Sequence, residues 1–161
     1  MSRMYIAFAL LALGAGPLAA QARPGPVALR GVWRPVEART GNAQGTASQP
    51  GLYVFTERHY SIMRVTSNAP RPNPPATLSQ ATAAQLIAAW DPFTANAGTY
   101  TLTGSELVTR PTVSKAPSFM TNGAFVAYSW TVRADTLTLM PLRTQQGPVT
   151  GGTSIRLVRV E

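Results

Sequence analysis

The sequence contains no cysteine and only one histidine, His59, which limits the chemistry that the protein can perform. Without cysteine there is no disulfide, no thiolate metal ligand and no thiol for lipid attachment. A lone histidine cannot form a multi-histidine metal site, and no motif places an aspartate or serine beside it. The six acidic residues lack the paired spacing that acid–base catalysis uses. We therefore expect no metal, no cofactor and no catalytic residue that the sequence can assign.

The apolar run near the start of the chain is too short to cross a membrane. From Met4 to Leu13 it has ten residues, whereas a transmembrane helix needs about 20. Arg3 precedes this run, and Ala20-Gln21-Ala22 matches the A-x-A pattern of a cleavage site. We interpret residues 1–22 as a secretory signal peptide that is cut after Ala22. The remaining residues, 23–161, are predicted to form one soluble domain, secreted or periplasmic, without stable membrane insertion.

Acidic residues are scarce relative to the fourteen basic ones, which gives a net charge of +8. The basic residues are spread along the chain and form no run, a pattern typical of a solvated surface. Nucleic acid is disfavoured as a partner, because the chain carries an export signal and lacks a recognisable binding motif. Attraction to anionic envelope polymers or to an acidic ligand is the alternative interpretation of the charge.

What the sequence does contain is a series of short alternating segments separated by turn residues. For example, Tyr100 and Leu102 alternate with threonines, and Gly104-Ser105 provides a turn before the alternation resumes at Leu107. We predict eight strands, at residues 29–39, 51–56, 59–66, 98–103, 106–115, 123–133, 136–142 and 153–160. Sequential hairpins indicate an all-β, up-and-down antiparallel sheet, and eight such strands can close into a barrel.

One segment between the third and fourth strands has a helical period instead. Thr77 and Gln80 fit a capping box at its start, and Asp91-Pro92 ends it because the residue before proline avoids the helical region. Its apolar residues recur at steps of three and four: Ala83, Leu86, Ile87, Trp90 and Phe93. We expect this face to pack onto the sheet, so that the helix covers the barrel and contributes to its core. Contact with a ligand is the alternative.

Five segments of the chain resemble the bacterial lipocalin-like domain family. They are Gly31-Val32-Trp33-Arg34, Pro50-Gly51-Leu52-Tyr53, Ala97-Gly98-Thr99-Tyr100-Thr101, Asp135-Thr136-Leu137-Thr138-Leu139 and Leu157-Val158-Arg159-Val160. The resemblance implies an eight-stranded calyx with a helix between strands three and four and an apolar cavity for a small molecule. It brings no established catalytic residue. It also implies that Trp33, on the first strand, stacks with Arg159, on the last, and closes one end of the barrel.

The candidate ligand-binding residues are large aromatic side chains that alternation can place on one face of their strands. They are Tyr53, Phe55, Tyr100, Tyr128 and Trp130. If Trp33 points inward, alternation carries Pro35 and Glu37 inward as well, although a bulge would reverse this. The aromatic side chains could instead fill the interior completely.

The leading functional hypothesis is a non-enzymatic protein that binds or carries a small hydrophobic molecule. A barrel isomerase or cyclase with Glu37 or His59 as base is the second. A basic structural or adhesive envelope protein is the third.

Overall fold

The computed structural model describes residues 26–75 and 77–161, so the predicted signal peptide lies outside the described residues. Within these ranges the chain forms mainly strands, with short helical segments between them. Its elements are α1 (Pro26–Leu29), β1 (Gly31–Thr40), β2 (Thr46–Ala47), β3 (Gly51–Phe55), β4 (His59–Val65), a 3₁₀ helix (Leu78–Gln80), α2 (Ala83–Trp90), β5 (Phe93–Thr103), β6 (Glu106–Ser114), a second 3₁₀ helix (Pro117–Met120), β7 (Val126–Arg133), β8 (Thr136–Thr144), β9 (Gly147–Pro148) and β10 (Thr153–Arg159). Neither α-helix of the described part of the chain is long and apolar enough to span a bilayer.

The strands close into an antiparallel barrel. Their order is β10-β1-β3-β4-β5-β6-β7-β8, and β10 also pairs with β8, which joins the two ends of the sheet. The two-residue strands β2 and β9 pair only with β1 and β8, respectively. Eight strands therefore form the wall, and α2 lies between the third and fourth of them, so the predicted fold class is confirmed. Closure leaves none of the long wall strands with an unpaired edge.

The hydrophobic core lies inside the barrel. Period 2 along each strand sends alternate side chains inward, and these buried residues come from every wall strand and from α1. They are Leu29, Trp33, Tyr53, Phe55, Tyr60, Ile62, Tyr100, Leu107, Trp130, Leu137, Leu139, Ile155 and Leu157. Most of them lie near the end of the barrel that contains Trp33 and Arg159. We call this the closed end and the opposite end, where β5 begins and β8 ends, the mouth.

A bulge in β1 turns Glu37 to the outside of the barrel. The pairing of β1 with β10 shifts between Pro35 and Glu37, so that Glu37 lies opposite Arg156. Its carboxylate forms ion pairs with Arg156 and Arg39 on the outer surface. The expectation that alternation from Trp33 carries Glu37 inward is therefore wrong. The extra residue of a bulge shifts the alternation by one, so that side chains beyond it point to the opposite side of the sheet.

Some predicted boundaries also differ from the structure. Leu29 belongs to α1 and not to the first strand, and β7 begins at Val126, three residues later than predicted. β5 begins at Phe93, which places this residue in a strand and not on the helical stripe. Residues 93–97 pair with β4, and Asn96 and Ala97 also pair with β6. These long-range hydrogen bonds extend the strand beyond its clear alternation.

The helix α2 starts and packs differently from the prediction. Its N-cap is Thr82, whose side chain accepts a hydrogen bond from the Gln85 backbone, and Gln85 completes the capping box. The similar Thr77-to-Gln80 pattern forms the first 3₁₀ helix instead. No residue of α2 is buried, and Trp90 is 57% exposed. The expectation that this helix contributes to the core is therefore wrong.

Candidate ligand-binding site

The closed end is sealed by Trp33 and the segment around it. The Trp33 side chain is fully buried, and its Nε1 donates to the carbonyl oxygen of Leu29 at 2.9 Å. The Arg159 guanidinium lies 4.1 Å from the centroid of the Trp33 ring. It also donates to the carbonyl oxygens of Arg30 and Ala28, at 2.6 and 2.7 Å. These contacts hold α1 against this end of the barrel. Leu29, the last residue of α1, is fully buried there.

Three of the five candidate ligand residues, Phe55, Tyr100 and Trp130, pack inside the barrel and line neither of the two cavities described below. Phe55 and Tyr100 meet edge to face, with ring centroids 5.6 Å apart. The Tyr100 hydroxyl donates to the carbonyl oxygen of Thr56 at 2.7 Å, which satisfies it locally. Trp130 is buried beside them in the same hydrophobic cluster. These three side chains therefore belong to the hydrophobic core.

A cavity of about 130 Å³ lies in the half of the barrel toward the mouth; we call it the inner cavity. Tyr53 and Tyr128, the other two candidates, line it. Apolar wall is supplied by Ile62, Leu139 and Ile155. Polar wall is supplied by Arg64, Thr94, Asn96 and Thr153. The structure therefore brings two of the predicted ligand residues together in one cavity.

A second space of about 350 Å³, the mouth pocket, adjoins the inner cavity. The two spaces share three lining residues, Thr94, Asn96 and Tyr128. Phe93, Phe119, Val126 and two alanines give the mouth pocket a largely apolar wall, and Asp91 and Lys115 lie at its edge. The inner cavity and the mouth pocket are therefore neighbours, with the three shared side chains on the wall of both.

Lys115 fastens the end of α2 beside the mouth. Its ammonium group donates to the carbonyl oxygens of Trp90 and Asp91 and, at 2.8 Å, to that of Phe93. It also lies 4.9 Å from the centroid of the Trp90 ring. A cation at the carboxyl end of a helix satisfies carbonyl groups that have no partner within the helix. This side chain therefore holds α2 at the rim, although the helix contributes nothing to the core.

The apolar side chains of α2 face an open groove outside the barrel; we call it the rim groove. It has a volume of about 670 Å³ and lies between α2 and the proline-rich segment 71–74. Leu86, Ile87 and Trp90 line it from the helix, and Phe93 belongs to both the groove and the mouth pocket. The groove is therefore an extension of the mouth, not an enclosed cavity.

Burial raises the pKa of the tyrosine hydroxyls inside the barrel above the ordinary value of 10.0, so they are protonated at neutral pH and well above it. Desolvation raises the pKa of Tyr53, and the charge of Arg64 offsets only part of this effect. Desolvation also raises the pKa of Tyr60 to about 12, and it raises the pKa of Tyr128 further. The hydroxyls of Tyr53 and Tyr128 can therefore donate hydrogen bonds to a ligand at neutral pH.

The two residues proposed as a catalytic base lie outside the barrel. Glu37 is paired with arginines on the outer surface, as described above, and His59 is exposed at the start of β4. The residues that line the inner cavity include no carboxylate and no imidazole. This arrangement provides hydrogen-bond donors for binding but no acid–base pair at the cavity.

Sequence reasoning missed Arg64, Thr94 and Asn96 as cavity residues. Arg64 could have been found, because alternation from Tyr60 and Ile62 carries it inward. Thr94 and Asn96 precede the strand as it was predicted, so no alternating pattern identified their facing. Only their pairing with β4 places them on the wall of the cavity.

The match to one family model agrees with this architecture. The model of the lipocalin-like domain family matches residues 30–159, which include every wall strand from β1 to β10. A solved structure of a lipocalin-like protein from Bacteroides uniformis is similar, with 13% identity and a TM-score of 0.48 over 82% of this chain and 98% of that one. No curated protein matches the sequence. On the family match, which covers most of the sequence, the chain belongs to the lipocalin-like domain family.

Proposed function

We propose that the protein binds and carries a small hydrophobic molecule in the inner cavity and the mouth pocket. The observation that supports this most is that the two spaces adjoin each other and share Thr94, Asn96 and Tyr128. The mouth pocket alone, at about 350 Å³, lies within the range of ligand pockets, roughly 300 to 1,000 Å³. Apolar walls with a few polar groups suit a ligand that is mostly apolar and is oriented by hydrogen bonds.

The size of the inner cavity limits which part of the ligand it can hold. Its volume of about 130 Å³ is close to the roughly 150 Å³ of an apolar cavity that accommodates benzene. One ring or one compact polar group fits there, and the larger part of the molecule must occupy the mouth pocket. The proposed ligand is therefore elongated, with one end enclosed and the other near the mouth.

Titration with a neutral hydrophobic dye, N-phenylnaphthylamine, tests this proposal. Thr94 lines both spaces from β5, so Thr94→Phe places a ring where the ligand would lie. Thr99→Phe is the matched control, because Thr99 lies on the same strand and is exposed. We expect Thr94→Phe to weaken dye binding at least about tenfold and Thr99→Phe to leave it unchanged. Equal affinity for wild type and Thr94→Phe would place the dye elsewhere and refute the proposal.

We further propose that this carrier acts outside the cytoplasm, on the basis of the signal-like segment that ends at Ala22. Expression of the full chain followed by cell fractionation and intact-mass measurement tests this. A periplasmic or secreted product that begins at Arg23 is expected. A product that stays in the cytoplasm with residues 1–22 attached would refute export without affecting ligand binding. Native mass spectrometry of the exported protein would at the same time detect a co-purified small molecule.

A further inference from the structure

Arg64 provides the only cationic group among the residues that line the inner cavity. It lies on the inward face of β4, two residues after Ile62, and its side chain is half-buried. Gly51 is its partner on β3. A Cβ atom at Gly51 would lie 2.7 Å from the Cβ of Arg64 and 2.9 Å from Pro35. Since Gly51 contributes no side chain, the first part of the Arg64 side chain has room to extend along the wall.

The guanidinium of Arg64 forms no ion pair and no side-chain hydrogen bond within residues 26–75 and 77–161. Five arginines of this part of the chain have acidic partners, whereas Arg64 is one of six that have none. Arg39 and Arg156 pair with Glu37, and Arg143 pairs with Glu106 at 2.6 Å. The charge of Arg64 is therefore available to pair with an anion that enters the inner cavity.

The other polar groups around the inner cavity are neutral and can both donate and accept hydrogen bonds. The hydroxyls of Tyr53 and Tyr128 are protonated, and Asn96 offers an amide. A guanidinium binds a planar carboxylate through two parallel hydrogen bonds, and neutral donors can satisfy the remaining lone pairs. An amine or another cation would be repelled by Arg64, and the residues that line the inner cavity include no carboxylate to pair with it.

From this placement we propose that the ligand is an apolar acid whose carboxylate lies in the inner cavity beside Arg64. Its apolar part extends into the mouth pocket along Phe93, Phe119 and Val126. The ligand thus enters with its acidic end first. This inference rests on the proposed carrier function and adds the chemical class and the orientation of the ligand.

Isothermal titration calorimetry with decanoate, decanol and decylamine tests the inference, since these probes share a chain and differ in their head group. We expect wild-type protein to bind decanoate at least about tenfold more tightly than decanol, because an ion pair with hydrogen bonds replaces a single neutral contact. Decylamine should bind more weakly than either. Arg64→Gln should remove the preference for decanoate over decanol and leave the affinity for decanol unchanged.

Arg34→Gln is the matched control, because Arg34 is an exposed residue of β1 and its substitution makes the same change in net charge. It should leave all three affinities unchanged. If Arg34→Gln weakens decanoate binding as much as Arg64→Gln does, the preference comes from overall charge and the inference is overturned. If wild type binds decanol as tightly as decanoate, the acidic head group is refuted while the carrier function stands. If no probe binds and the neutral dye also fails to bind, the carrier function itself is refuted.

Discussion

Replacement of Trp33 by alanine removes several contacts of the closed end at once. The side chain is fully buried, its Nε1 hydrogen bond to Leu29 is lost, and Arg159 loses the ring against which it stacks. The carbonyl of the buried Leu29 is left without that donor, which adds a desolvation cost. Truncation of a buried tryptophan to alanine costs about 3 to 5 kcal/mol, because the lost burial is accompanied by a cavity. We therefore expect a loss of this size in the free energy of unfolding.

Urea denaturation followed by far-ultraviolet circular dichroism measures this loss without dependence on tryptophan fluorescence. Trp90→Ala is the matched control, since Trp90 is 57% exposed and contributes nothing to the core. We expect Trp90→Ala to cost less than about 1 kcal/mol. Trp33→Phe should give an intermediate loss, because it keeps a buried ring but not the hydrogen bond to Leu29.

Two results would contradict this account of the closed end. One is a loss of less than about 1 kcal/mol for Trp33→Ala, which is below the usual range for a buried large side chain. The other is a loss for Trp90→Ala as large as that for Trp33→Ala. Either would mean that burial and stacking at Trp33 do not stabilise the barrel.

Two further substitutions test the backbone of the closed end and the buried hydroxyls. Gly31→Ala should destabilise the protein more than Gly104→Ala: both glycines have positive φ, but only at Gly31 would a Cβ contact the Glu161 carbonyl and the Arg159 guanidinium. Equal losses in urea denaturation would show that the close approach is unimportant. Tyr60→Phe should be nearly neutral at neutral pH, since the Tyr60 hydroxyl is buried without a partner among the described residues. Burial raises the pKa of Tyr60 from 10.0 to about 12, so the unfolded state releases this proton before the folded state does. The wild type should therefore lose stability as the pH rises from about 10 through about 12, and Tyr60→Phe should lose less stability at about pH 11. An identical pH dependence for both proteins would contradict this assignment.

Much of the fold could be predicted because its signals are local. Alternation at Tyr100 and Leu102 and the turn at Gly104-Ser105 correspond to the β5–β6 hairpin, and the order of the eight wall strands follows from such hairpins. The end of α2 at Asp91 follows from the proline after it. Each of these features depends on residues within a few positions of one another.

The wrong predictions about α2 have two causes. Two local patterns compete for the start of the helix, and the surface on which the helix packs depends on residues distant in sequence. The T-x-x-Q pattern occurs at both Thr77 and Thr82, and only the second one caps α2. The apolar stripe of α2 predicts an apolar neighbour but does not specify which one. The hydrophobic core consists of residues from the strands and α1, and none comes from α2. The helix therefore lies at the rim, where Lys115 holds it.

The candidate site was predicted in part. The alternating aromatic residues were located from the sequence, but their division between packing and cavity was not. Phe55, Tyr100 and Trp130 pack against other core residues, whereas Tyr53 and Tyr128 lie farther toward the mouth and line the inner cavity. The height of a residue along the barrel axis depends on strand register, which the sequence of a single strand does not specify.

By itself the sequence determined the number and order of the wall strands, the presence of one helix among them and the absence of cysteine chemistry. These properties depend on residue type and on the spacing of near neighbours. Only the tertiary structure decided that Glu37 faces outward and that Arg64, Asn96 and Tyr128 meet around one cavity. The physical reason is that inward facing depends on bulges and register, and these are set by pairing between strands that are distant in sequence.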